Sequence, residues 1–147
     1  MKLALFDFDN TLFETPYDED PNYMDKPESL SVRKWKFEPI LETIKSYKEQ
    51  VKEENTRVVL LTNRISDVYL ELKSLLELYG LRFDEYRTIV GVDGDRSKGN
   101  RLKSLIEKYG TVKEVEYWED KDKHINDVKK VMKEYPEINL TVNKVVI

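Results

Sequence analysis

Short apolar runs alternate along the chain with longer segments in which apolar residues recur every three or four positions. The runs predict buried strands at residues 3–8, 57–62, 115–118 and 140–147, with a shorter strand at 86–90. The periodic segments predict helices at residues 39–53, 66–79, 97–109 and 123–134. This alternation favours an α/β fold, in which a mostly parallel sheet lies between two layers of helices.

Polar side chains follow three of the predicted strands. Asp7 and Asp9 close the first, Thr62 closes the second, and Glu119 and Asp120 follow the strand at 115–118. In parallel sheets, ligands bind beyond the carboxyl ends of the strands. The sequence therefore predicts that these polar residues share one rim of the sheet and form a site there.

The segment from residue 14 to 37 interrupts the alternation, because prolines and clustered acids break any regular period. Its position directly after the first strand predicts a short lid over the rim, and an ordinary surface loop is the alternative. Within it, Trp35 is flanked by basic residues, a combination that suits stacking on a base and binding of phosphate. Burial of Trp35 in the core is the other interpretation.

Composition limits the classes of protein to consider. The 147 residues fit one domain spanning 1–147, and no apolar run approaches the ~20 residues of a membrane span. The early acids interrupt the opening apolar stretch too soon for a signal peptide. Cysteine is absent, which fits a reducing compartment, so we expect a cytoplasmic protein without membrane contact. The formal charge of -4 argues against broad, non-specific binding of nucleic acid.

The spacing of Asp7 and Asp9 suits a metal ion. In an extended strand, residues two apart point the same way, with roughly 6–7 Å between their β-carbons. Carboxylates this close repel each other unless a divalent cation neutralises them, and Mg²⁺ prefers a few such oxygens together with water and phosphate. The pair alone is also compatible with a solvated turn.

The surrounding residues decide between these interpretations. The run Leu5-Phe-Asp-Phe-Asp-Asn-Thr-Leu-Phe13 resembles the Asp-x-Asp-x-Thr motif of the haloacid-dehalogenase-like (HAD) superfamily. Val58-Val-Leu-Leu-Thr-Asn-Arg64 resembles its second motif and Tyr117-Trp-Glu-Asp120 its fourth, while Lys98 fits the third. The resemblance implies a Rossmann-like three-layer sandwich with a minimal cap, and a magnesium-dependent phosphatase with an aspartyl-phosphate intermediate.

The same resemblance assigns the catalytic roles. It makes Asp7 the nucleophile and Asp9 the general acid and base, with Thr62 and Lys98 binding the transferred phosphoryl group. Three other basic residues compete with Lys98 for its role: Arg96, Arg101 and Lys103.

The remaining predicted site residues bind metal and substrate. The resemblance makes the acid at the second position of the pair, Asp120, the preferred Mg²⁺ ligand, with Asp7, the Asp9 backbone carbonyl and Glu119 completing or orienting the site. Asp122 is a reserve ligand. The predicted substrate contacts are Asn63, Arg64 and Trp35.

Three stretches narrow the resemblance to the HAD domains of Swiss-Army-knife RNA-repair proteins and, more loosely, to polynucleotide phosphatases. They cover residues 6–16, 98–109 and 117–124, the last ending in the single histidine, His124. Two positions depart from the pattern, because Arg101 replaces an aromatic residue and Lys121 an arginine. We assign no catalytic role to His124.

Several functions stay open at this point. The leading one is hydrolysis of a terminal phosphate on a nucleotide or a nucleic-acid end. A phosphatase for a small metabolite is the next. A non-catalytic HAD module that binds a phosphorylated partner is a third, and a phosphotransferase, disfavoured by Asp9, is the fourth.

Overall fold

A computed structural model describes residues 1–15, 27–30, 37–90 and 94–147. Within them the strands are β1 (Lys2–Phe6), β2 (Phe13–Glu14), β3 (Glu38–Pro39), β4 (Thr56–Ile65), β5 (Glu85–Ile89), β6 (Glu114–Glu119) and β7 (Asn139–Lys144). The α-helices are α1 (Leu41–Lys52), α2 (Tyr69–Leu78), α3 (Lys98–Tyr109) and α4 (Asp122–Met132). None of these helices is both long and apolar enough to cross a bilayer.

The main sheet is parallel, with the strand order β5-β4-β1-β6-β7. β1 and β6 are neighbours, yet the chain leaves β1 toward β4 and leaves β6 toward β7. In such sheets a crevice opens at the carboxyl ends of the two strands where the winding reverses. Asp7 follows β1 and Asp120 follows β6, so the topology brings both acids to this crevice.

Helices cover both faces of the sheet, which confirms the predicted three-layer α/β fold. Buried side chains of α1 and α2 pack with Ala4 and Phe6 on one face, and those of α3 and α4 pack with Leu3 and Leu5 on the other. Successive residues of β1 thus point into two separate cores. This explains why the strand is a continuous apolar run rather than an alternating one.

β4 differs from its predicted form, because it continues to Ile65 instead of ending at Thr62. Ile65 is 4% exposed and pairs with Ile89 of β5, so burial of its side chain favours extension of the strand. The pairing register shifts between Leu61 and Ile65. Such an irregularity changes the direction in which side chains point. Asn63 lies within the stretch where the register shifts. A 3-10 turn at Ser66–Val68 then delays the helix predicted from residue 66.

β1 is shorter than predicted, ending at Phe6 rather than at residue 8. The Phe8 carbonyl accepts a hydrogen bond from the Leu12 amide at 3.1 Å, so the chain turns here. Within this turn Asn10 has a φ of 57°, a left-handed conformation that asparagine tolerates better than most residues. The turn folds Thr11 back toward Asp7.

The base of the predicted lid is a two-stranded antiparallel ribbon. Phe13 of β2 pairs with Pro39 of β3, and Glu14 pairs with Glu38, which holds the two ends of the segment together. Most of the segment from 14 to 37, including Trp35, lies outside the described residues. The lid and the role of Trp35 therefore stay predictions.

Candidate active site

Asp7 lies at the centre of the crevice and is held through both carboxylate oxygens. Its Oδ1 accepts a hydrogen bond from Lys98 Nζ at 2.7 Å, and its Oδ2 accepts one from the Thr11 hydroxyl at 2.9 Å. Burial raises the pKa of Asp7, and the charge of Glu119 raises it further, against the opposing effect of Lys98. These contacts fix the orientation of a buried carboxyl group that lines the cleft.

Lys98 connects the ends of two strands. As the first residue of α3, it reaches Asp7 after β1 and Glu119 at the end of β6, the latter at 2.6 Å. Burial alone would lower its pKa, but the two acids outweigh this effect and raise the pKa of Lys98. The ammonium group is therefore charged at neutral pH. Among the competing basic residues, Lys103 instead pairs with Glu134 at 3.5 Å.

Glu119 is completely buried, and the protein uses both of its oxygens. Oε1 accepts from Lys98 and from the Tyr117 hydroxyl, and Oε2 accepts from the backbone amides of Asp120 and Lys121. Burial would raise the pKa of Glu119, but the charge of Lys98 and side-chain hydrogen bonds with Asp7, Asp120 and Lys98 lower it to about 2. The geometry favours the orienting role predicted for Glu119, because its oxygens already hold Lys98 in place.

Three carboxyl groups come close enough to hold a metal ion. Ligand atoms of Asp7, Glu119 and Asp120 lie within 4.8 Å of one another. Burial, followed by the effect of the two neighbouring acids, raises the pKa of Asp120 to about 8. Clustered acids with one shared ammonium group are the donor set that a hard divalent cation stabilises. Mg²⁺ fits this cluster, and Asp7, Glu119 and Asp120 are the residues that could hold it.

Asp9, predicted to act next to Asp7, forms a buried ion pair with Arg64. Arg64 Nε donates to Oδ2 at 3.1 Å, and a terminal nitrogen of the same guanidinium donates to Oδ1 at 2.8 Å. Arg64 is 1% exposed and also covers the Phe8 ring, at 5.4 Å from its centroid. This geometry places Arg64 behind Asp9, where it favours positioning of that acid over the predicted contact with substrate.

Thr62 and Asn63, two other predicted site residues, lie at the irregular end of β4. The Thr62 hydroxyl accepts a hydrogen bond from the Arg64 amide at 3.2 Å, which leaves the hydroxyl hydrogen for another acceptor. Asn63 lies beside the cleft, and its side chain contacts Arg101. The reserve ligand Asp122 lies apart from the carboxyl cluster and pairs with Lys144 at 2.9 Å.

A cleft of about 620 Å³ opens over these groups. Its lining combines acidic, basic and neutral polar side chains: Asp7, Asp9, Asn63, Arg96, Ser97, Lys98, Lys121, Lys123, His124 and Asp127. Burial and the nearby Lys98 charge lower the pKa of His124 to about 4, so its ring is neutral at pH 7. The sequence assigned His124 no role, and the structure places it in the cleft wall.

Two site residues were missed in the sequence. Thr11 is the last residue of the Asp-x-Asp-x-Thr motif, and its hydroxyl also approaches Asp120 Oδ1 at 3.4 Å. Tyr117 precedes Glu119 by two positions, so both side chains point to the same face of β6. Motif membership in the first case and strand periodicity in the second would have identified them.

One family model matches almost the whole chain. Residues 8–147 match HAD domain family 1 in Swiss Army Knife RNA repair proteins. No curated protein sequence matches the chain. A chain in a structure of a Pnkp1/Rnl/Hen1 complex superposes with a TM-score of 0.68 at 14% identity, over 98% of this chain and 45% of that one.

A second solved structure, of the Pnkp1/Rnl/Hen1 RNA repair complex, gives a TM-score of 0.65 at 15% identity, over 97% of this chain and 42% of that one. At such identities the likeness shows the fold, and this chain spans less than half the length of either relative. The match to the family extends over almost the whole sequence and confirms the narrower resemblance. The chain therefore belongs to HAD domain family 1 of the Swiss Army Knife RNA repair proteins.

Proposed function

We propose that this HAD domain is a magnesium-dependent phosphomonoester hydrolase that works through an aspartyl-phosphate on Asp7. The observation that carries the proposal is the Asp7 carboxylate itself. It lines a cleft, 2.7 Å from the Lys98 ammonium group and within a carboxyl cluster that suits Mg²⁺. A phosphoryl group bound there meets a nucleophile, a positive charge and a second acid, Asp9, in the same cleft.

In the first step, an oxygen of Asp7 attacks phosphorus, and the bond from phosphorus to the ester oxygen breaks. Protonated Asp9 gives its proton to the departing oxygen, so the alcohol leaves neutral. In the second step, the Asp9 carboxylate takes a proton from water as that water attacks phosphorus. Inorganic phosphate leaves and the Asp7 carboxylate is restored, with Asp9 ready for another cycle.

The other side chains neutralise charge and hold these two acids. Lys98 offsets charge on the nucleophile and on the transferred group, and the Thr62 hydroxyl donates to a phosphoryl oxygen. Arg64 holds Asp9 in one orientation through its two hydrogen bonds. Mg²⁺, when bound by Asp7 and Asp120, would withdraw charge from the phosphoryl oxygens.

Hydrolysis of a generic aryl phosphate tests the proposal. We expect the purified protein to release phosphate from para-nitrophenyl phosphate with Mg²⁺, and to lose this activity with a chelator. Restoration by added Mg²⁺ but not by Ca²⁺ would agree with a small octahedral site. An inactive protein that still binds phosphorylated ligands would instead support a non-catalytic HAD module.

The Asp9→Asn variant should separate general acid catalysis from nucleophilic attack. We expect kcat to fall about 100-fold or more for an alkyl phosphate, because its alkoxide leaves poorly without a proton. With para-nitrophenyl phosphate, whose phenolate leaves easily, the first step should fall much less. Pre-steady-state release of nitrophenol measures that step directly, and equal losses on both substrates would contradict the role of Asp9.

Binding of Mg²⁺ should depend on pH, because the pKa of Asp120 is raised to about 8 in the metal-free site. Below this value a proton must leave before the ion binds, so Mg²⁺ affinity should rise by about tenfold per pH unit and level off above pH 8. Calorimetry in buffers of different ionisation enthalpy measures both the affinity and the released proton. In Asp120→Asn, weak binding without this pH dependence is expected.

The same raised pKa predicts how the stability of the metal-free protein changes with pH. An acid whose pKa is raised by folding stabilises the folded protein when it is protonated. The full contribution is present below about pH 4. It is lost as the pH rises from about 4 to about 8. Denaturant unfolding of wild type and Asp120→Asn should therefore diverge across this range, and added Mg²⁺ should reduce the wild-type loss. Parallel curves for the two proteins would contradict the assignment.

For the substrate, we propose a phosphorylated nucleic-acid end, with a small phosphorylated metabolite as the alternative. The family is found in RNA repair proteins, and the cleft, far larger than one phosphate group, has Arg96, Lys121 and Lys123 in its wall. A panel of 3′- and 5′-phosphorylated oligonucleotides, mononucleotides and sugar phosphates tests this choice by kcat/KM. If Trp35→Ala lowers activity on oligonucleotides no more than on the aryl phosphate, Trp35 does not stack on a base.

A further inference from the structure

Arg101 connects helix α3 to the irregular end of β4. Lying one turn after Lys98, it donates hydrogen bonds to the Thr62 carbonyl at 2.6 Å and to the Arg87 carbonyl at 3.1 Å. The other terminal nitrogen donates to Asn63 Oδ1. One guanidinium group thus holds both the backbone and a side chain at the point where the register of β4 shifts.

The position of Arg101 carries a desolvation cost that its contacts offset only in part. Within the described part of the chain, Arg101 forms no salt bridge, and its buried Nε has no hydrogen-bond partner. Burial lowers the pKa of Arg101 to about 10, so the group is still charged at neutral pH. A partly buried charge that contacts only carbonyl and amide oxygens loses hydration without the gain of an ion pair. The arrangement therefore serves the geometry of the neighbouring groups, Thr62 and Asn63.

The partners of Asn63 fix which way its amide points. Arginine can only donate, so the Asn63 atom that faces Arg101 is the oxygen. On the opposite side, Asn63 Nδ2 donates to the Arg96 carbonyl at 3.3 Å, and a carbonyl can only accept. The amide nitrogen carries two hydrogens, and this bond uses one of them. The second N–H belongs to a side chain that lines the cleft together with Asp7 and Lys98.

We propose that Arg101 is a positioning residue, which orients the Asn63 amide so that its second N–H donates to a phosphoryl oxygen of the substrate. The proposal rests on the proposed function. It names the N–H group through which Asn63 would make its predicted contact with substrate, and it names Arg101 as the residue that orients that group. Because that oxygen carries charge both before and during transfer, the contact strengthens binding of substrate and transition state alike. Its loss should therefore raise KM more than it lowers kcat.

The test is a double-mutant cycle between Arg101→Lys and Asn63→Ala. Lysine keeps the charge but cannot reach the β4 backbone and Asn63 together with one planar group. Each single variant should raise KM for para-nitrophenyl phosphate by about tenfold or more with kcat within about threefold. The double variant should match Asn63→Ala alone, because Arg101 acts through that amide. Additive effects, or a loss confined to kcat, would overturn the proposal.

Two further variants separate positioning from general damage. Arg57→Lys makes the same exchange at an exposed site near the other end of β4, and wild-type KM is expected. Asn63→Asp keeps the acceptor for Arg101 but removes both N–H donors, so we expect retained thermal stability with the largest rise in KM. Normal phosphate binding by Asn63→Asp would contradict the proposal even if Arg101→Lys failed to fold.

Titration with inorganic phosphate and Mg²⁺ distinguishes failure of the proposed enzymatic function from failure of the proposed role of Arg101. If wild type binds phosphate without turning over the ester, the enzymatic function fails, and the same cycle is measured on phosphate affinity. If wild type is active and Arg101→Lys behaves like it, only the role of Arg101 is overturned. If wild type neither hydrolyses the ester nor binds phosphate, both are overturned.

Discussion

Replacement of Asp7 by asparagine is expected to lower kcat on para-nitrophenyl phosphate by at least about 1,000-fold. The asparagine oxygen can still accept a hydrogen bond from Lys98, and its amide nitrogen can donate to the Thr11 hydroxyl oxygen, so the site should keep its geometry. What the variant loses is the nucleophile, since a neutral amide does not form the acyl phosphate. Initial-rate kinetics at saturating Mg²⁺ measures the effect.

The stability of Asp7→Asn distinguishes this loss from unfolding. The buried cluster loses one of three neighbouring acids, so the metal-free variant should be at least as stable as wild type in thermal unfolding. Asp67→Asn, at an exposed site after β4, is the matched control and should keep wild-type kinetics. Retained turnover in Asp7→Asn would show that a different group attacks phosphorus.

The second large effect is expected from Lys98→Met. Among the residues that the structure describes, Lys98 is the cation that contacts both Asp7, at 2.7 Å, and Glu119, at 2.6 Å. We expect kcat/KM to fall by about 100-fold or more, because charge on the nucleophile and phosphoryl group is no longer neutralised. The variant also leaves buried acids without their partner. Breaking such a pair typically costs about 3–5 kcal/mol in the free energy of unfolding.

Urea unfolding with and without Mg²⁺ separates the two consequences of Lys98→Met. The ion should recover part of the stability, because it supplies positive charge to the same carboxylates, but it should not recover the catalytic rate. Lys103→Met is the control on the same helix, and its exposed pair with Glu134 should contribute less than about 1 kcal/mol. Equal destabilisation of the two variants would contradict a special role for Lys98.

The three-layer fold was predictable because its signals are local. A strand buried on both faces reads as an apolar run, and an amphipathic helix reads as a period near 3.6, so the main elements agree with the sequence within a few residues. The topology then follows from alternation of the two. Together these place Asp7, Thr62 and Asp120 at one edge of the sheet without any knowledge of their contacts.

The contacts within the site were less predictable, because they depend on residues distant in the chain. Nothing near Arg64 in the sequence indicates that its side chain meets Asp9 rather than the substrate. The extension of β4 to Ile65 depends on pairing with β5, which brings the Thr62–Arg64 stretch into an irregular register. Arg101 departs from the family pattern, and only the fold shows that it faces Asn63.

Analysis of the phosphorylated enzyme tests whether Asp7 accepts the phosphoryl group. Wild type mixed with para-nitrophenyl phosphate and Mg²⁺ is quenched in acid within milliseconds, and its peptides are analysed by mass spectrometry. We predict one added phosphoryl group on the peptide that contains Asp7, absent without Mg²⁺ and absent in Asp7→Asn. Full turnover with the phosphoryl group on another residue, or with no phosphorylated peptide at any quench time, would contradict the role of Asp7 as the nucleophile.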